Sequence, residues 1–122
     1  MKIAIPVDEK TLESNVCLSF GRAPYFLIYD VETKESTFID NSAAASTGGA
    51  GIKAAQMIVD NKAGALLTPR LGANAAGVLE PAEVKIYKTT AASAKENIEA
   101  FAAGKLSLLD ETHAGFRGRG SN

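Results

Sequence analysis

Three glycines within four positions, Gly48, Gly49 and Gly51, stand directly ahead of an amphipathic run in the stretch STGGAGIKAAQMIVD, residues 46–60. Residues without a Cβ let backbone N–H groups close on an anion, and a helix N-terminus adds a partial positive charge. The competing reading is a flexible joint between two elements. The spacing fits neither a dinucleotide fingerprint nor a Walker A motif, because no Lys-Ser/Thr pair follows the glycines. A second candidate is Arg22 in SFGRAPYF, an arginine in a turn before a strand. Its planar guanidinium could take a carboxylate, a phosphate or an anionic cluster, or it could fasten its own loop by pairing with Asp8 or a backbone carbonyl. Cys17, the one cysteine, is either a soft metal ligand or a small buried apolar residue.

A catalytic constellation is harder to assemble. Asp8 follows the first strand, where a nuclease of ribonuclease H type would begin a carboxylate cluster for two magnesium ions. The first helix, however, has no acidic residue before Asp60, and GALLTP ends without one. Metal-dependent hydrolysis is disfavoured on that count. Nucleophilic catalysis lacks an orienting partner for Cys17 or for His113, the one histidine. The chain therefore reads as a non-enzyme.

Composition narrows the classes further. The 122 residues suffice for one domain, and 13 basic against 14 acidic residues leave a net charge of −1. No global field draws such a chain to nucleic acid or anionic lipid, and FRGRG is too short a basic patch to argue RNA binding. No stretch approaches a membrane span, and MKIAIPVDEK enters a strand pattern without a signal peptide, which points to the cytoplasm. One cysteine and one histidine cannot close a structural zinc site.

The elements that must position these groups follow from periodicity. Ile3, Ile5 and Val7 alternate with smaller or polar residues, predicting a strand over 2–7, with Pro6 marking an edge or a strand end. YFLIYDV (25–31) and STFID (36–40), joined by ETKE, predict a hairpin. The first helix carries Ile52, Ala55 and Val59 on its apolar side and Lys53, Gln56 and Asp60 opposite, with Ser46 or Thr47 as N-cap. GALLTP (64–69) is a buried strand, GANAAGVLEP a short helix stopped by Pro81, and VKIYK (84–88) a further strand. SAKENIEAFAAG carries a capping box, Ser93 with Glu96, an apolar stripe of Ala94, Ile98, Phe101 and Ala102, and Gly104 as its stop. Residues 1–109 form the domain, and 110–122 form a flexible tail. The order β, ββ, α, β, α, β, α predicts a mixed five-stranded α/β sheet with one antiparallel strand and three helices on its faces. Ligands of such sheets sit beyond the carboxyl ends of the parallel strands, the region of Asp8, residues 46–51 and the turn 68–74.

Taken as an ordered set, MKIAIPVD, SFGRAPYF, GGAGIKAAQMI and GANAAGVL resemble the dinitrogenase iron-molybdenum cofactor biosynthesis family, nitrogenase accessory factors of the NifX type that also occur as the C-terminal domain of NifB. The resemblance covers residues 1–109 and implies a three-layer α/β/α, ribonuclease H-like fold. It also implies a non-catalytic carrier for an iron-sulfur or iron-molybdenum-type cluster precursor, with metallocluster biosynthesis or acceptor proteins as partners. The family's Phe-Gly-Arg-Ala-Pro segment falls on residues 20–24 with Arg22, its glycine loop on Gly48, Gly49 and Gly51, and its Gly-Pro-Asn-Ala turn on residues 72–75 with Asn74. Relatives often carry histidine where this chain has Ser19 and, in the glycine loop, Ser46, Thr47 and Ala50. With those imidazoles missing, a cluster would rest on Cys17, on Arg22 and loop amides, or on a second subunit. A small-anion or phosphometabolite-binding module without metal is the alternative.

Overall fold

A computed structural model describes residues 1–45 and 48–109. The strands are β1 (Lys2–Val7), β2 (Tyr25–Asp30), β3 (Ser36–Asp40), β4 (Ala65–Thr68) and β5 (Lys85–Lys88); the α-helices are α1 (Ala50–Asp60), α2 (Ala73–Leu79) and α3 (Ala94–Ala102). They form one sheet in the order β3-β2-β1-β4-β5. Strand β2 runs antiparallel to both β1 and β3, while β1, β4 and β5 are mutually parallel, giving the mixed sheet with one antiparallel strand. The expected tail, residues 110–122, lies outside the described residues.

Both faces of the sheet are covered, and the alternation in β1 explains how. Ile3, Ile5 and Val7 join Leu27, Ala65 and Leu67 beneath Ala94 and Ile98 of α3. The smaller Ala4 joins Phe26, Ile28 and Leu66 on the opposite face, against Ala54, Ala55 and Ile58 of α1 and Ala75, Ala76 and Leu79 of α2. Pro6 marks a strand end, not an edge: β1 is the central strand, and its pairing with β4 involves only Ile3 and Ala4. The hairpin link is held by the Asp30 carboxylate, which accepts from the amides of Glu32 and Thr33 at 2.9 and 3.3 Å. Those two bonds hold the Asp30 carboxyl below its ordinary range.

Two helical stripes differ from expectation. In α1 the buried positions are Ala50, Ala54, Ala55 and Ile58, whereas Ile52 is 44% exposed. Small side chains take the core side because α1 must approach both the sheet and α2. In α3 Ala102 is exposed, and the buried face is Ala94, Asn97 and Ile98. The Ser93 hydroxyl caps α3 by accepting from the Glu96 amide at 3.1 Å and donates to the Glu96 carboxylate at 3.1 Å.

Asn97 is fully buried and makes four hydrogen bonds. Its Oδ1 accepts from the amides of Thr90 and Ala91 at 3.0 and 3.2 Å, and its Nδ2 donates to the carbonyls of Ala91 and Ser93 at 2.9 and 2.8 Å. One side chain thus fixes the turn between β5 and α3. Asn97→Ala orphans both sides of that turn, so the urea midpoint is expected to fall by the equivalent of about 2–3 kcal/mol.

Candidate functional site

Past the carboxyl ends of β1 and β4, on the α1/α2 face of the sheet, a cleft of about 630 Å³ opens between three segments. Residues 18–21 include the start of a short 3-10 turn (Phe20–Arg22), residues 49–52 open α1, and residues 70–75 lead into α2. Why the chain folds this way locally is a matter of two glycines. Gly49 is the N-cap of α1 in a left-handed conformation, φ 70°, which an L side chain adopts only at a cost. Ser46 and Thr47, the expected N-caps, lie outside the described residues, and the cap that is seen offers no side-chain bond. Gly21 lies against the first turn of α1: a Cβ there would meet the Gly51 nitrogen at 2.9 Å and the Ala50 carbonyl carbon at 3.2 Å. Gly51 is less demanding, since an added Cβ would stand 3.7 Å from that of Ala75, and around Gly48 there is open space.

The cleft is positive by construction. The first intrahelical bond of α1 runs from the Lys53 amide to the Gly49 carbonyl, so the amides of Ala50, Gly51 and Ile52 have no acceptor within the helix. The same holds at α2, whose first bond joins the Ala76 amide to Gly72. The helix dipole of α1 adds to these donors. Arg70 supplies a full charge at the rim, exposed and with no ion-pair partner among the described residues. None of the described lining residues is Asp, Glu, His or Cys. Leu18 and Ile52, 64% and 44% exposed, add an apolar lip.

Of the residues singled out in the sequence, Gly49, Gly51 and Asn74 line this cleft. Gly48, Arg22 and Cys17 stand outside its lining. Arg22 donates from Nη1 to the Ala44 carbonyl at 2.7 Å, tying the turn before β2 to the segment after β3. Asn41, buried beside it, donates to the carbonyls of Gly21 and Ala23 at 3.2 and 2.8 Å, so the Phe20–Pro24 loop is anchored twice. Arg70 lies in the turn 68–74 that the sequence marked as part of the ligand region, but neither it nor Leu18 or Ile52 was singled out as a site residue. Only the placement of Arg70 in a turn between a buried strand and a small-residue helix could have signalled it.

Cys17 packs against the α1/α2 core, and its thiol reaches the Ser19 carbonyl at 3.6 Å. Burial pushes the thiol above its ordinary range; backbone hydrogen bonding at Ser19 offsets part of the rise, and the nearby Asp8 carboxylate adds to it. The protonated thiol is the resting form at neutral pH, and a metal would bind it only by displacing that proton. Alkylation by iodoacetamide, followed by mass spectrometry, is expected to be slow at neutral pH and to quicken as the solution becomes alkaline. Asp8→Asn removes a contribution that favours the proton, so it shifts that profile to lower pH.

Fold and cleft define an α/β domain that offers an anion a ring of backbone donors and one guanidinium at the carboxyl ends of its parallel strands. The chain belongs to the dinitrogenase iron-molybdenum cofactor family, whose model matches residues 1–104. Among solved structures, the apo form of the orange protein from Desulfovibrio gigas is similar with a TM-score of 0.85 and 29% identity, covering 89% of this chain and 92% of its own. A Thermotoga protein described as a candidate NifB protein is 34% identical, with a TM-score of 0.80 over 93% of this chain and 97% of its own. A Methanocaldococcus jannaschii protein described as a candidate dinitrogenase shares the fold at 21% identity and a TM-score of 0.67, covering 90% of this chain and 95% of its own. No curated protein matches the chain. Among the described residues, no helix is long and apolar enough to cross a membrane, and no three His, Cys, Asp or Glu side chains are grouped to hold a metal ion.

Proposed function

We propose that this chain is a non-catalytic cytoplasmic carrier that takes up an anionic metallocluster precursor of the iron-sulfur or iron-molybdenum type and passes it to proteins that assemble or accept such clusters. The observation that carries the reading is the convergence of Arg70 with the open amides of α1 in a cleft whose described lining has no acidic side chain. Terminal sulfides of such a cargo accept hydrogen bonds from these donors, and the guanidinium offsets its charge. With no thiolate or imidazole in that lining, the cargo would be held through its outer atoms and not through bonds to its metals. Grip of that kind is reversible. An acceptor that offers thiolate or imidazole ligands draws the cargo away by forming the stronger bonds.

The same absence of metal-ligating side chains favours one other reading, a module for a phosphate-bearing metabolite with no metal. Anaerobic reconstitution of the whole chain with iron and sulfide, then desalting, optical spectroscopy and metal analysis, separates the two. Retained iron with charge-transfer absorption supports the carrier. Failure to retain iron, together with saturable shifts of the Ala50–Ile52 amides on adding inorganic phosphate, supports the second reading in its place.

A further inference from the structure

Among the described residues four large apolar side chains stand exposed, Met1, Leu18, Ile52 and Leu108, and two of them line the glycine cleft. Phe20 and Leu71, both buried, belong to the same lining. Ile52 is turned outward because alanines take the core side of α1, and Leu18 lies in the loop ahead of the 3-10 turn. The polar part of the lining includes the amides of Ala50, Gly51 and Ile52, which have no acceptor within the helix, and the side chains of Ser19 and Asn74. Arg70 is the one full charge in the described lining. Ile52 therefore offers the cleft a donor from its backbone and an apolar surface from its side chain.

We infer that Leu18 and Ile52 determine specificity: they select a weakly hydrated anion, one whose charge is spread over a polarisable surface, against a compact and strongly hydrated one. The inference rests on the reading of this cleft as an anion site. A compact dianion holds its water tightly, and the apolar walls return no hydrogen bonds for those it gives up. A diffuse anion gives up little, and its contact with Leu18 and Ile52 removes apolar surface from water. Charge points the same way. With one guanidinium as its full positive charge, the described lining leaves the second charge of a compact dianion unbalanced, and a guanidinium is itself weakly hydrated. Sulfide-surfaced cargo falls in the favoured class, phosphate-bearing metabolites in the other.

The test is an amide chemical-shift titration of the isotope-labelled full chain with sodium perrhenate and with sodium sulfate, tetrahedral oxyanions of opposite hydration, at equal ionic strength. Saturable shifts of the Ala50, Gly51 and Ile52 amides are expected with both, and perrhenate should bind about tenfold more tightly. Coulomb attraction to Arg70 alone favours the dianion, so that order separates the lip from simple charge. In the Leu18→Gln, Ile52→Gln double variant the preference should shrink to about twofold or less, while Arg70→Ala weakens both anions and keeps their order. Leu18→Gln alone, which leaves α1 untouched, should lose part of the preference and serves if the double variant melts early. Sulfate binding as tightly as perrhenate, or a preference that survives these lip substitutions, overturns the selection and leaves the anion site in place. No saturable shift with either anion overturns the anion site itself and the selection with it.

Discussion

Arg70→Glu is expected to abolish uptake of an anionic cargo while leaving the thermal midpoint of the protein where it was. Arg70 is exposed, carries the one full positive charge in the described lining of the glycine cleft, and has no ion pair to lose among the described residues. Removing it with Arg70→Ala deletes a charge-assisted contact worth about 2 kcal/mol, or roughly thirtyfold in affinity. Reversing the charge adds repulsion to that loss. The measurement is retention of reconstituted iron per chain, or the dissociation constant for phosphate if the metal-free reading holds, alongside a melting curve. Arg22→Ala should behave in the opposite way. Its bond to the Ala44 carbonyl ties two loops together, so the midpoint falls and binding suffers only as the loop loosens. Equal affinities for Arg70→Glu and the unaltered chain would remove the cleft from the mechanism altogether.

Gly21→Ala is the second large effect, and it acts on the fold and the cleft together. The new methyl meets backbone on the facing helix, at 2.9 Å from the Gly51 nitrogen and 3.1 Å from its Cα. No rotamer can relieve that contact, so the first turn of α1 has to shift, at an expected cost of about 1–3 kcal/mol. Because this turn supplies the Ala50–Ile52 amides, anion affinity should drop in the same variant. Gly48→Ala is the control, since nothing lies within 4 Å of its added Cβ. Urea titration of the two variants checks the argument: equal midpoints would mean that the 3-10 turn yields without cost and that Gly21 is not the residue that fixes the cleft.

Much of the fold could be read from the chain because local pattern and tertiary demand agree. The capping box at Ser93 and Glu96 starts α3 where expected, and the β-branched runs mark β1, β2 and β3 with the hairpin between the last two. Where the two demands part, the chain misleads. A large apolar residue at Ile52 suggests an inward face, yet close packing of α1 against α2 selects alanines for that face and turns Ile52 to the lip of the cleft. Asn97 sits within an apolar stripe and looks solvent-directed, because its four partners are invisible until β5 and α3 are brought together. The site shows the same division. Gly49, Gly51 and Asn74 declare themselves by local chemistry, whereas Arg70 matters only through which helix starts it faces. The rim beyond the strands was legible as a region, but its division at Leu18 into two pockets depends on how the loops after β1, β4 and β5 come together.

One margin of the sheet is already occupied. Residues 107–109 run antiparallel beside β5, with the Lys88 amide donating to the Ser107 carbonyl and the Leu109 amide to the Ile86 carbonyl, both at 2.8 Å. Among the described residues, β3 is therefore the margin that still offers a free ladder. Two copies that met strand to strand through β3 would pair it with its own copy across a twofold axis. The far margin ends in the three-residue segment 107–109, a short edge that offers a further strand little backbone to join.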